Sequence, residues 1–333
     1  MKIVLVGAGV VGARAARQLH TLDDLAELVV SDVNGSRAEQ VAASLGAPAR
    51  SAAWSDRLLD GAAVLVIAAP AGSHATLAGL AVRRGVDVVS GTDDVDETRG
   101  LLALDAEARE AGRTVVVGAG FSPGLTCLLA RHAAAEFSAV DEIHVAKTGT
   151  GGPACARQHH AALAGEAVDW RDGDWVSRPA GSGRELCWFP DPVGGLDCYR
   201  AALPDALLLR PSFGSAARIT ARVSATRRDR VTARVPMLRK PHAEGIIGAV
   251  RVEVRGRRGA ITDARVLGAI DRPGVAAGAV AAVATGWLAS GSGRLARTGA
   301  GGLGELVAEP APFLHELAAR GVRAAVFEGT GGA

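Results

Sequence analysis

The sequence predicts an α/β chain: an N-terminal doubly wound parallel sheet, followed by a second, α+β domain built on a mixed or antiparallel sheet. Three observations carry this. A strand, a glycine loop and a helix open the chain. Short β-branched strands then alternate with helices to about residue 120. Beyond that point strands with two-residue alternation follow one another with few long helices between them. At 333 residues the chain is too long for one ordinary core and short for three, so two domains are expected.

Residues 2 to 6, KIVLV, form a continuous apolar run that suits a buried parallel strand. Gly7-Ala8-Gly9-Val10-Val11-Gly12 follows directly, and ARAARQL continues as a helix. Gly7 permits a tight turn, Gly9 lets the backbone approach a pyrophosphate, and Gly12 lets the helix pack on its strand. The helix N-terminus at Val10 and Val11 faces the anion. The second strand, ELVVSD, ends at Asp32, twenty residues after Gly12. A carboxylate at that spacing accepts hydrogen bonds from the adenosine ribose, the competing reading being a cap for the next segment. This is the pattern of a Rossmann dinucleotide-binding domain. Asp32 would repel a 2′-phosphate and favours NAD, while Arg37 nearby could pair with that phosphate and leaves NADP open.

The segment from Val41 to Trp54 is too poor in apolar runs to place a third strand. AVLVIAAP (63–70) is the fourth, and Ala69 and Pro70 leave its carboxyl end, where the nicotinamide half is expected. His74 begins the following helix and reads as a capping or surface residue. Strand VDVVS (86–90), helix ETRGLLALDAEAREAG and strand TVVVGAG (114–120) continue the alternation. SGTDD after the fifth strand offers Thr92, Asp93 and Asp94, either as ammonium binders and base or as a helix-capping turn.

Composition excludes several classes. Lys and Arg number 37 against 35 Asp and Glu, a net charge of +2, so no nucleic-acid partner is expected. The opening apolar run is broken by Gly7, Gly9 and Gly12, unlike a secretory leader, and no stretch is long enough for a membrane span. The four cysteines show no CxxC pair, which fits reduced thiols in the cytoplasm.

After the sixth strand, FSPGLTCLLARHAAAEF reads as an apolar helix with Ser122 as N-cap, Pro123 in the first turn and Cys127 in the core. The glycine loop, the AAP after the fourth strand, GAGFSPGLTCLLAR, and FPDPVGGLDCYRAALPDALLL (189–209) together resemble the saccharopine dehydrogenase superfamily, especially its lysine 6-dehydrogenase-like branch. The resemblance covers most of the chain. It implies a dinucleotide domain plus a substrate domain, usually in a homodimer, and hydride transfer between nicotinamide and a carbon bearing nitrogen. Relatives often carry an acidic or tyrosyl group where Thr92 and Asp93 fall, which makes Asp93 a catalytic and Thr92 a substrate-binding candidate. Where some relatives have aspartate before Pro-Gly, this chain has Ser122, so their proton relay does not transfer directly. DEIHVAK, ARITARVSA, AVRVEVRG and AITDARVLGAI read as the strands of the second domain. GVAAGAVAAVATGWLAS (274–290) is a small-residue helix that the resemblance returns to the first. The expected boundaries are 1–124 plus about 272–333 for the dinucleotide domain and 125–271 for the substrate and dimerisation domain.

A second glycine-rich stretch, AKTGTGGPACARQHH (146–160), has a different character. A strand delivers Lys147, TGTGG turns, and a helix begins near Pro153. Exposed backbone amides with Lys147, Thr148 and Thr150 suit a carboxylate or phosphate, and Arg157 could clamp it. Lys147, His159 and His160 are the proton-transfer candidates; Lys147 in that role requires desolvation to lower its pKa. The competing readings are a structural turn with solvated histidines and a metal site using Cys155 and His159, for which no complete ligand set is visible and no metal is expected. Trp170, Trp175 and Trp188 fall in the same domain, as pocket wall or as ordinary packing.

The function expected is an NAD(P)-dependent oxidoreductase acting on an amino acid or its imine. Two alternatives stand beside it: a dehydrogenase of another small carboxylated or phosphorylated carbonyl or alcohol, and a non-catalytic dinucleotide-binding partner protein.

Overall fold

The computed structural model describes residues 1–237, 240–291, 293–322 and 324–327, the last four by their backbone alone. The chain forms two compact units, Met1–Gly124 with Gly274–Glu309, and Leu125–Pro273 with Pro310–Ala333.

In the first unit the alternation read from the sequence becomes β1 (Lys2–Val6), α1 (Val10–Leu19), β2 (Glu27–Ser31), α2 (Gly35–Leu45), β3 (Ala49–Ser51), β4 (Val64–Ile67), α3 (His74–Arg83), β5 (Asp87–Ser90), α4 (Val95–Leu102), α5 (Asp105–Glu110) and β6 (Thr114–Val117). The strands pair in parallel in the order β3-β2-β1-β4-β5-β6, with a seventh parallel strand, Gly299–Gly302, beside β6. The first six follow the order of a dinucleotide-binding doubly wound sheet, with its switch point between β1 and β4. The third strand is three residues long and lacks a fully buried position, which is why no apolar run marked it. The helix expected over 97–112 is two helices broken at Ala103 and Leu104.

Small residues do specific work here. α1 buries Gly12, Ala15, Ala16 and Leu19, a single stripe at helical spacing. The buried helix Pro273–Ala289 approaches it so closely that a Cβ on Gly278 would lie 2.7 Å from the Ala15 nitrogen. Its run of alanines is what that approach demands.

The second unit begins with α6 (Leu125–Ala134), followed by β7 (Ala139–Thr148), α7 (Pro153–Ala162), β8 (Glu166–Arg171), β9 (Asp174–Pro179), β10 (Glu185–Phe189), β11 (Gly194–Arg200), α8 (Asp205–Leu209), β12 (Arg218–Ser224), α9 (Arg227–Thr232), β13 (Gly248–Arg258) and β14 (Ile261–Asp271). Its mixed sheet runs β10-β11-β12-β7-β13-β14 and ends in Ala324–Phe327; β8 pairs with β12 and β9. Only β7 and β12 run parallel, and the other pairs are antiparallel. One face carries Ile143, Val145, Ile219, Ala221, Val250, Val252 and Leu267 in register and is covered by α6 and α8. The other carries Glu142, His144, Arg222, Arg251, Glu253 and Arg255, tied into ion pairs and hydrogen bonds.

Two sequence expectations change. α6 starts at Leu125, and the cis peptide Ser122–Pro123 lies before it in a turn closed by the Gly120 amide on the Pro123 carbonyl at 2.9 Å. Pro123 therefore precedes the helix. The C-terminal segment, expected with the dinucleotide domain, clusters with the second unit: Pro310–Ala319 packs on α6, and Ala324–Phe327 pairs with β14. Trp170 is buried, donating to the Ala216 carbonyl at 3.0 Å, and meets Trp175 edge-on, whereas Trp188 is 61% exposed. Among the described residues, no helix is long and apolar enough to cross a membrane.

Candidate functional site

The first loop is shaped by backbone proximity. Gly7 has φ +103°, and a Cβ there would sit 2.6 Å from the Ala68 carbonyl carbon and oxygen. The loops leaving β1 and β4 meet at this point. A Cβ on Gly12 would lie 1.8 Å from the Gly7 carbonyl oxygen, while one on Gly9 would meet nothing within 4 Å. Gly7 and Gly12 are thus demanded by packing, whereas Gly9, the N-cap of α1, faces open space. That opening, with the amides of Val10 and Val11 in the first turn, could hold a pyrophosphate.

Asp32 sits at the end of β2. Its Oδ2 accepts from the Ala8 amide at 2.7 Å and its Oδ1 from the Asn34 amide at 2.8 Å. The carboxylate therefore braces the glycine loop and retains lone pairs for a diol. Asn34, not Asp32, caps α2 by accepting from the Arg37 amide. The Arg37 guanidinium is half exposed and 4.0 Å from Asp32. Val33 stands fully exposed beside it, an apolar surface that the sequence reading passed over.

At the carboxyl ends of β4 and β5 the structure builds a buried hydrogen-bond chain. His74, expected at the surface, is 0% exposed. Its Nε2 lies 2.8 Å from the Ala69 carbonyl and its Nδ1 2.8 Å from Ser90 Oγ. A carbonyl only accepts, so Nε2 carries the proton and Nδ1 accepts from the Ser90 hydroxyl. Burial holds the imidazole below its ordinary pKa, against the opposing Ala69 hydrogen bond and nearby Glu97, Asp93 and Asp94. Glu97 accepts from the amides of Gly72 and Ala75 and pins the loop that carries exposed Pro70. In SGTDD, the capping reading accounts for Asp94, which accepts from the Asp96 and Glu97 amides. Buried Thr92 accepts from the Asp94 amide at 3.2 Å, and Asp93 is half-buried between them.

The second glycine loop joins β7 to α7. Lys147 and Thr148, adjacent in sequence, lie on opposite faces of the sheet. Lys147 is buried, 7% exposed, and continues the apolar row of Ile143 and Val145 between Val223 and Val250. Thr148 lies on the other face, its Oγ1 accepting from Ser224 Oγ at 2.6 Å. Arg157 is exposed on α7, and His159 is half-buried. His160 is engaged: Nε2 lies 2.9 Å from the Thr232 carbonyl and 3.2 Å from that of Val235. The donors that crowd the sequence are spread in space.

The loop's glycines serve close packing. A Cβ on Gly149 would be 2.3 Å from the Gly248 Cα, and one on Gly245 would be 2.1 Å from the Thr150 carbonyl oxygen. Ile246 donates to that same oxygen at 3.1 Å. Two glycine-containing strands of backbone cross here, a pairing no local pattern shows. Among the described residues, no group of three or more His, Cys, Asp or Glu is placed to hold a metal ion.

Comparison with known proteins agrees with this geometry. Residues 1–119 match the model of the oxidoreductase family with an NAD-binding Rossmann fold. Saccharopine dehydrogenase (L-Glu forming) from Saccharomyces cerevisiae superposes with a TM-score of 0.70 at 14% identity, over 98% of this chain and 99% of that one. DAP dehydrogenase from C. glutamicum, solved with DAP, superposes with a TM-score of 0.52 at 13% identity, over 95% of each chain. The chain has the fold of saccharopine dehydrogenase, with an NAD-binding Rossmann domain over its first 119 residues.

Proposed function

We propose that the protein is an NAD-preferring dehydrogenase or reductase that transfers hydride between nicotinamide and a carbon bearing nitrogen in an amino acid or its imine. The observation that carries this reading is the open cradle at Gly9 with Asp32 at the end of β2, within a fold shared along the whole chain with a saccharopine dehydrogenase. Two dehydrogenases that superpose on this chain act, by their names, on saccharopine and DAP, in line with the resemblance carried by the Pro-Gly and GGLDCY segments.

The residues present fit a dinucleotide. The amides of Val10 and Val11 would hold the pyrophosphate, Asp32 the adenosine ribose, and Val33 would lie under the adenine. When bound, the nicotinamide supplies the hydride chemistry. The chain's own tasks are to hold the nicotinamide half along Ala69 and Pro70 and to keep that loop fixed through His74 and Glu97. Thr148 at the end of β7, with Thr150 and Arg157 on the loop and helix that follow it, would anchor an anionic end of the substrate. Lys147, on the opposite face of the sheet, would act on a proton instead. Of the proton-transfer candidates, Lys147 and His159 are favoured over His160, whose Nε2 is already donating.

Turnover of NADH or NAD with a panel of amino acids and keto acids tests the reading. Lys147→Ala should lower kcat/KM at least tenfold, about 1.4 kcal/mol or more of transition-state stabilisation. Turnover confined to alcohols would move the substrate class. Tight NADH binding without any turnover would make the protein a dinucleotide-binding partner.

A further inference from the structure

Two of the four cysteines, eleven positions apart in sequence, meet on the hairpin β10–β11. Cys187 lies opposite Leu196, which places Cys198 as its diagonal neighbour on the same face. The two side chains join Phe189, Ala146 and Ala249 in one buried apolar cluster, an island on the otherwise charged face of the sheet. Neither forms a disulfide, and both are buried, Cys198 completely and Cys187 at 6% exposure. Each thiol is the other's neighbour, and that proximity, with Arg251 and Arg222 nearby, holds Cys187 below its ordinary pKa against burial and Glu185. The same contact pushes Cys198 up.

The position of the pair gives it a consequence. Cys198 is the register partner of Ser224 on β12, and Ser224 donates to Thr148 Oγ1 at 2.6 Å. Ala146, two residues before Thr148, belongs to the same cluster. The dithiol therefore lies one strand away from the loop proposed above to anchor substrate.

We propose that Cys187 and Cys198 form an oxidisable dithiol that closes reversibly to a disulfide and, through Ser224 and Ala146, alters the mobility of the Thr148–Gly152 loop. Exposure assigns the roles: Cys187, at 6%, is the more accessible thiol, and Cys198, at 0%, resolves. With hydrogen peroxide as oxidant, the Cys187 thiolate attacks one peroxide oxygen. The O–O bond breaks, the departing hydroxide is protonated to water, and Cys187 becomes a sulfenic acid. Cys198 sulfur then attacks Cys187 sulfur: the S–S bond forms, the S–O bond breaks, and the hydroxyl leaves as water with the Cys198 proton. Overall two thiols lose two electrons and two protons, and one peroxide becomes two waters. A small-molecule dithiol reverses the step by exchange. Diagonal cross-strand neighbours sit roughly 7–8 Å apart, wider than the span of about 4.4–6.8 Å that a disulfide takes between Cα atoms, so closure requires a local approach of β10 to β11 and no change of register.

The disulfide itself does not depend on the proposed activity, and its test uses the intact protein. Wild-type protein is treated with hydrogen peroxide, denatured, alkylated and mapped without reduction. The expected result is a Cys187–Cys198 cross-linked peptide that dithiothreitol removes, with Cys127 outside any bridge. In Cys198→Ser, Cys187 should instead be trapped as a sulfenic acid by dimedone. Full alkylation of both thiols after treatment, or direct passage of Cys187 to sulfinic acid in the wild type, would overturn the proposal. Hydrogen exchange reads the coupling: amides from Thr148 to Gly152 should change protection severalfold on oxidation in the wild type and stay constant in Cys198→Ser. A disulfide that leaves those amides unchanged would overturn the link to the loop, whatever the substrate proves to be.

Discussion

The Nε2 of His160 lies 2.9 Å from the carbonyl oxygen of Thr232, the last residue of α9. That nitrogen must donate, so the ring holds α9 against α7 and has only Nδ1 left for other work. His160→Ala should cost about 1 kcal/mol or more in urea denaturation, the scale of a lost hydrogen bond to a half-buried acceptor. His160→Gln, which restores a donor, should recover part of it. A variant that loses turnover but no stability would return His160 to the list of bases.

Gly9 and Gly12 should separate binding from folding. Gly12→Ala drives a methyl into the Gly7 carbonyl and should destabilise the first unit by about 2 kcal/mol or more. Gly9→Ala meets open space and should cost only the N-cap preference for Gly over Ala, about 1 kcal/mol or less. It should nonetheless weaken NADH binding at least tenfold, because the methyl occupies the pyrophosphate's place. Unchanged NADH affinity in Gly9→Ala would remove the cradle from the cofactor.

For Asp32→Ala, isothermal titration should show NAD weakened far more than NADP. The carboxylate offers acceptors to the ribose and repels a 2′-phosphate, and its removal leaves Arg37 unopposed. Because Asp32 also accepts from the Ala8 amide, a uniform loss for both nucleotides would mean that bracing the loop is its whole role.

His74 makes the first unit sensitive to acid. Burial lowers its folded-state pKa, so below about pH 6.5 the unfolded chain binds the proton that the folded chain refuses. Stability from this source is complete above that pH and falls as the pH drops toward the folded pKa. His144 in the second unit, also lowered by burial despite its bond to Glu142, acts with the same sign. Comparing denaturation of wild type and His74→Gln at about pH 7.5 and pH 5.5 isolates the His74 part, and the variant should lose less stability on acidification. An equal loss in both proteins would refute it.

What the sequence made legible were features with a local period. β1, β2, β4, β5 and β6 show as apolar runs, the glycine loop has fixed spacing, and β7, β12, β13 and β14 alternate. What stayed hidden depends on partners distant in the chain. The strand Gly299–Gly302 has no β-branched residue and exists because β6 offers it a parallel edge, with Arg297 holding Asp105 and Glu305 around it. β8 to β10 stayed hidden as well: half of β8 is buried but includes Asp169, and β9 and β10 are largely exposed. At the site, the spacing from Gly12 to Asp32 was informative because one helix intervenes. The donors around Lys147 could not be grouped from the sequence, because a strand sends neighbouring side chains to opposite faces. Glu97 and Ser90 carried no signal, since their work is to hold backbone amides and one imidazole.

The discontinuity of the first unit also has a meaning for synthesis. When Gly124 has left the ribosome, β6 presents an unpaired edge whose natural partner, Gly299–Gly302, is not yet translated. The helix that seals α1 through Gly278 is missing as well. At roughly 5–20 residues per second, residues 125–273 of the second unit are made while this nascent sheet waits with one side open. A ribosome-bound chain stopped before residue 299 should therefore be the species most in need of a holding chaperone, and the glycine-rich strand that closes the sheet is what ends that dependence.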